Sequence, residues 1–306
     1  MAVDYSKVAT PIIDLLDEGH IPWRRDWSRA NSIPCNHESN RPYSGSNIVS
    51  CWVANWARGY TSNRWLTFAA IKRLGLKFKG EPGSPENKGT PIIVYKPPMV
   101  DKKTGEVTRR AFASNGTIFN IEQLVGVTDP TDYDLKDHDP ADVGDAIKVA
   151  RALDVPIEQG EPSYSPIKDR IKMPDLGKFT TTQAFMSVLG HECVHSTGHP
   201  SRLDREMSTD FGSVEYAYEE LIAEFGAAFL CAEWGIEYSL EQHASYIQSW
   251  VKLLQDKPKA LSEAASAAGK AVDFISNKLV ELDMHIEHSA SLADLLQYGE
   301  SYGQRA

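Results

Sequence analysis

Thr180-Thr181-Thr182-Gln183-Ala184-Phe185-Met186-Ser187-Val188-Leu189-Gly190-His191-Glu192-Cys193-Val194-His195-Ser196-Thr197-Gly198 is the stretch on which the fold turns. It reads as a helix before any motif is considered. Thr180 and Gln183 fit a capping box at its start, Gly198 supplies a stop, and Phe185, Val188 and Leu189 give it a face to bury. On that helix His191 and His195 leave the same face one turn apart, so both imidazoles can reach a single ion. Glu192, beside the first histidine, has the place of a general base acting on water at zinc. Cys193 leaves the helix about 100° from either neighbour and reads as core rather than as a thiolate ligand.

A following element must supply the third ligand, and Tyr218-Glu219-Glu220-Leu221-Ile222-Ala223-Glu224 brings acids at helical spacing. The 24 residues between His195 and Glu220 leave room for the chain to reverse. Glu220 is the expected ligand. Glu224, on the same face one turn later, is expected to orient a ligating imidazole, a task that falls to carboxylates in such sites. Glu219 is expected to face elsewhere, with Leu221, Ile222, Phe225 and Phe229 on the packed side. The longer pattern H-E-x-x-H-x-x-G-x-x-H fits as far as Gly198 but then requires a histidine where the chain has Ser201. His199 lies past the glycine and reads as a surface histidine or one that supports a ligand.

With His191, His195 and Glu220 on Zn2+, a fourth position stays open, which separates catalytic from structural zinc. The implied chemistry is hydrolysis of a protein or peptide substrate. The group that steadies the developing oxyanion stays open among Tyr216, Tyr218, His199 and Arg202.

The 306 residues suffice for two domains, and 42% apolar with 24% charged residues is the composition of a soluble globular chain. No apolar run approaches the roughly 20 residues of a membrane span, and Met1–Tyr5 shows no secretory leader. Four cysteines stand far apart, without zinc-ribbon or disulfide spacing, so a reducing cytoplasm is expected. The net charge of -10 conceals an asymmetry: residues 1–127 hold 17 Lys+Arg against 11 Asp+Glu, and the remainder holds 15 against 31. Two halves with opposite charge suggest two tasks.

Periodicity predicts helices over 6–18, 47–58 and 67–74, and strands at Ile92–Tyr95 and Thr117–Phe119 with Asp101–Gly105 as an intervening turn. Residues 1–127 therefore form a mixed α+β domain. An acidic, core-poor segment follows, with residues 128–141 as the expected linker. Residues 142–306 are expected to be mainly helical, with helices near 142–152, 180–197, 214–234, 240–256 and 258–283 and a strand over Ile167–Met173.

In the positive half, Trp23-Arg24-Arg25-Asp26-Trp27 alternates aromatic and cationic groups, and Arg41, Tyr43, Arg64, Trp65, Lys72 and Arg73 follow. Single-stranded DNA calls for this mixture, since bases stack on rings while cations track phosphates. Trp23, Trp27 and Trp65 would serve equally as core anchors of a small domain. No signature of sequence-specific readout is present.

The chain also resembles the ArdC-type antirestriction proteins of conjugative plasmids and phages. The likeness rests on Gly19–Arg24, Pro42–Asn47, Arg64–Phe68 and Phe119–Gln123 in the first half. In the second half it rests on Tyr164–Pro166, Asp169–Ile171, His191–Pro200 with Arg202-Leu203, and Glu219–Leu230. It implies a single-stranded-DNA-binding domain joined to a zincin-like metallopeptidase domain, and protection of incoming DNA from host restriction. Two functions stay open: a peptidase tethered to single-stranded DNA, and a non-enzymatic protective protein with a structural zinc site. Glu192 favours the first, because a structural site needs no base. A zinc nuclease would need further carboxylates for a second metal about 4 Å away, and the chain offers no obvious set.

Overall fold

Trp65 and Leu66 are neighbours in the chain and both are fully buried, which accounts for the layering of the first unit. They lie on β2 (Arg64–Thr67), where successive side chains point to opposite faces, so the sheet must be covered on both. Trp65 packs with Cys51, Ala54, Tyr60, Ile92 and Ile118, while Leu66 packs with Ala70, Ile71, Ile121 and Leu124. The first cover comes from α2 (Ser46–Arg58) and the second from α3 (Phe68–Arg73). In this computed structural model the described residues are 3–23, 32–81, 84, 87–100, 104–105, 107–129, 143–208, 210, 212–236, 238 and 246–289.

The sheet is ordered β1 (Cys35–Asn36), β2, β6 (Phe112–Asn120), β3 (Thr90–Lys96), with β1 parallel to β2 and the other pairs antiparallel. Beyond β3, β4 (Met99–Val100) and β5 (Val107–Arg109) pair as an antiparallel ribbon, the hairpin that the turn sequence predicted. Asn47 closes the outer edge of β3 by accepting from the Ile93 N–H at 2.9 Å and donating to its carbonyl at 2.8 Å. The opening helix α1 (Ser6–Asp17) buries Val8, Ile12, Leu15 and Leu16, the residues whose spacing predicted it.

This unit comprises Met1–His138 together with Glu241–Ala267. The second half is therefore not one unbroken block from residue 142. Helix α7 (Ile247–Asp256) buries Ile247, Trp250, Val251, Leu253 and Leu254, and it packs on α1. Its apolar stripe was legible, but not its partner. Asp129, expected in the linker, accepts from the Ser62 hydroxyl and pairs with Arg64 at 3.2 Å. From residue 130 onward that linker lies outside the described residues.

The second unit comprises Asp139–Leu240 and Ala268–Ala306. It is mainly helical, as the periodicity predicted, with α4 (Val143–Ala152), α5 (Thr182–Ser196), α6 (Val214–Trp234) and the later part of α8 (Lys259–Ser289). A small sheet, ordered β7 (Ile157–Gln159), β9 (Arg170–Met173), β8 (Ser163–Ser165), packs on α5. The expected strand from Ile167 begins only at Arg170, because Ile167 stands 90% exposed and Asp169 turns the chain at φ +47°. Helix α6 is buried around nearly its whole circumference and comes close to α5 at Gly226, where a Cβ would lie 2.7 Å from Val194. No helix among the described residues is long and apolar enough to cross a membrane.

Candidate metal centre and nucleic-acid surface

Helix α5 starts one residue later than the capping box suggested, with the Thr181 hydroxyl accepting from the Ala184 N–H at 3.1 Å. It ends at Ser196, and Gly198 is needed for close packing: a Cβ there would meet the Met207 sulfur at 2.7 Å. Within α5, His191 and His195 are buried and turn their Nε2 atoms to within 3.1 Å of each other. Glu220 of α6 reaches both, with Oε2 at 3.6 Å from His191 Nε2 and Oε1 at 3.5 Å from His195 Nε2. These three residues form the group that could hold a metal ion. A tetrahedral zinc with bonds of about 2.0–2.1 Å keeps its donor atoms roughly 3.4 Å apart, so the observed separations fit one ion. Glu192 lies between the histidines at 6% exposure.

The electrostatics call for a cation. Burial disfavours charge on His195, but Glu219, Glu220 and Glu192 outweigh it and push the pKa up to about 9. Burial likewise acts against the Glu220 carboxylate, yet His191 and His195 draw its pKa down to about 2. The fully buried Cys193 thiol is pushed up chiefly by burial and belongs to the core, as its helical position predicted.

One role moves. Glu219 does not face away: its Oε1 lies 3.2 Å from His195 Nδ1 and accepts from the ring, which leaves Nε2 for the ion. Arg205 braces that carboxylate, donating from Nε at 3.1 Å and from its terminal nitrogen at 2.6 Å, and also donates to Thr197 Oγ1 and the Val194 carbonyl. Glu219 thus orients the His195 imidazole, a task expected of Glu224 and not of Glu219, and Glu224 is fully buried one turn beyond Glu220. Adjacent positions both serve because α6 is enclosed on all sides, and that was the available signal: an apolar helix without a polar face.

The positive half fares differently. Trp23 is 4% exposed and packs on Trp250 with ring centroids 5.9 Å apart, and Trp65 is fully buried. Both are core residues, and neither offers a ring to a base. Tyr43 is half-buried against the Trp65 cluster. Arg64 is committed to Asp129 and to the Asn40 side chain, and Arg73 makes a bidentate pair with Glu38 at 2.6 Å. Arg41 and Lys72 are exposed. Arg24, Arg25 and Trp27 lie outside the described residues.

Comparison with known proteins adds to this geometry. Residues 4–119 match the N-terminal domain of anti-restriction factor ArdC, and residues 144–267 match a zincin-like metallopeptidase family. Crystal structures of the antirestriction ArdC protein from the R388 plasmid superpose with TM-score 0.72. The metal-free one is 31% identical and is matched over 90% of this chain and 98% of its own; the Mn(II)-bound one is 29% identical. The chain belongs to the ArdC family of antirestriction proteins. The uncharacterized protein y4eC of Sinorhizobium fredii is 32% identical to this ArdC-family chain over 285 residues, covering 89% of it and 91% of the relative. A DNA primase TraC of Escherichia coli is 33% identical over 296 residues, but the chain spans only 27% of that relative's length.

Two motifs that carried the family likeness prove structural in this ArdC-family chain. In Phe119–Gln123, the Asn120 side chain accepts from the Glu122 N–H and Gln123 accepts from the Asn120 N–H, a capping box. Glu122 in turn accepts the Thr61 and Ser62 N–H groups at 2.7 and 2.6 Å. In the second unit, Arg202 pairs with Asp169 and donates from Nε to the Ser196 carbonyl, while the Tyr164 hydroxyl donates to Asp169 at 2.7 Å. The set ties the loop after α5 to the small sheet. His199 is held by Ser201 at 2.7 Å beside Asp169. Tyr216, one of the four groups considered for an oxyanion, instead bonds the candidate ligand Glu220 and helps to hold its carboxyl low.

Proposed function

We propose that this ArdC-family chain is a zinc metallopeptidase whose first unit holds single-stranded DNA, so that hydrolysis of a protein is directed to the strand and incoming DNA escapes restriction. The observation that supports hydrolysis most is the buried His191–His195–Glu220 set with Glu192 carried between the two histidines. When bound, the ion supplies Lewis acidity toward a carbonyl and makes a water easier to deprotonate. Glu192 accepts the proton at its carboxylate and passes it on to the leaving amine. Glu219 holds the His195 ring through Nδ1, and Arg205 holds Glu219, so the ligand geometry is fixed before substrate arrives. Tyr216 gives its one hydroxyl proton to Glu220 and so steadies that carboxylate as a ligand.

Single-strand binding is supported by the net positive charge of residues 1–127 and by the match to the ArdC N-terminal domain. The test of the enzymatic reading is Glu192→Gln, assayed for bound zinc and for cleavage of a denatured protein substrate. Zinc is retained and cleavage falls by at least about 100-fold, the usual contribution of a general base. Cleavage at the wild-type rate would refute the role given to Glu192 and favour a structural zinc.

A further inference from the structure

The first unit exposes one feature that adds nothing to its core. Strands β4 and β5 are solvent-exposed along their length, with Met99, Val100 and Val107 each more than half exposed. Where the ribbon joins the main sheet, Tyr95 is 69% exposed and Phe112 is 38% exposed. Tyr95 pairs with Ala113 and Lys96 with Phe112, so the two rings stand at one level on opposite faces of the β3–β6 pair. Lys96 Nζ lies 5.5 Å from the Phe112 ring centroid, and the Arg109 guanidinium lies 5.0 Å from it. Arg110 is exposed beside them, and among the described residues no carboxylate pairs with Lys96, Arg109 or Arg110. In sequence, residues 90–116 hold five Lys+Arg against two Asp+Glu.

We propose that single-stranded DNA is held on this ribbon, with bases stacked on Tyr95 and Phe112 and phosphates on Lys96, Arg109 and Arg110. The inference rests on the single-strand reading above and places it on residues that composition did not single out. Exposed rings beside unpaired cations suit unstacked bases on a charged backbone, and a duplex hides the base faces that such rings would contact. Addition of a peptide strand to β3 is opposed on its own edge: Asn47 occupies the Ile93 backbone groups, and Pro91, Pro97 and Pro98 remove donors. Trp23 and Trp65 are buried and cannot share the task.

The test uses the full chain and a fluorescein-labelled oligo-dT, with anisotropy read across a salt series. Tyr95→Ala with Phe112→Ala weakens binding on the order of ten-fold or more with the salt slope unchanged, and Tyr95→Trp restores the contribution of that position. Lys96→Ala with Arg109→Ala makes the slope of log affinity against log salt shallower by about 1.4, two phosphates' worth. The melting temperature of each variant stays at the wild-type value, because the side chains are exposed. An abasic oligomer of equal length binds the wild type and the Tyr95/Phe112 variant alike. If the wild type binds oligo-dT and every variant binds as it does, or if a duplex binds as tightly as the single strand, the ribbon is not the site and a protein partner takes its place. If the wild type does not bind oligo-dT at all, the single-strand reading itself fails.

Discussion

At the candidate metal centre, Glu192, Glu219 and Glu220 lie buried around His195, whereas on the ribbon Lys96, Arg109 and Arg110 stand in solvent. A buried charge is costly unless it is compensated, and at the centre a chain of bonds does this: His195 is held by Glu219, Glu219 by Arg205, and Arg205 by the end of α5. Such a site is rigid and tolerates little change. An exposed cation carries no such cost, and its side chain can adjust to a flexible polymer. The difference matches the two proposed tasks, since bond cleavage needs fixed geometry and strand binding needs only charge and open rings.

The largest effects separate the buried from the exposed aromatics of the first unit. Trp65→Ala empties a fully buried site and should cost about 3–5 kcal/mol, read as a shift of the denaturant midpoint. Tyr95→Ala should stay within about 0.5 kcal/mol of wild type. A stable Trp65→Ala protein that has lost only its DNA binding would reverse the assignment of the two rings.

A smaller effect is expected in the second unit. Burial raises the Asp169 carboxyl, but hydrogen bonds from Arg202 and Tyr164 prevail and hold it below its ordinary 3.8. A depressed folded value means that the stabilisation is fully present above pH 3.8 and is lost as pH falls through the folded value. Asp169→Asn should therefore cost about 1 kcal/mol at neutral pH, since the group is partly solvated, and progressively less in acid. Urea unfolding at pH 7 and pH 3 checks this, and a gap that widens in acid would show that the pair has been misread.

Much of the candidate metal centre was legible in the chain, because the His191–His195–Glu220 cluster is built by local logic. His191 and His195 stand one turn apart on a helix with its own cap and stop, and Glu220 lies on the next predicted helix. Glu219 was misplaced because a helical wheel gives one face to function and another to packing, and α6 is packed on every face. Arg205 was missed for a different reason: it acts through a loop folded back by bonds such as Arg205 N–H to the Gly198 carbonyl, which no periodicity foretells. In the first unit, β2 escaped detection because four residues with two adjacent core side chains show no alternation. The burial of Trp23 depends on Trp250, more than two hundred positions away in the chain. Aromatic and basic composition located the right unit but not the exposed rings, since a tryptophan in a core and one on a surface look the same in sequence.

The most direct test of the central claim is zinc content per chain after exhaustive dialysis, measured for wild type, Glu220→Ala and Glu219→Gln. If His191, His195 and Glu220 are the ligands and Glu219 orients one of them, wild type retains one zinc and Glu220→Ala retains almost none. Glu219→Gln retains zinc with an affinity about 10- to 100-fold weaker, as removal of a carboxylate behind a ligating histidine does. Full occupancy in Glu220→Ala, or complete loss in Glu219→Gln with Glu220→Ala unaffected, would contradict the ligand set and with it the metallopeptidase account.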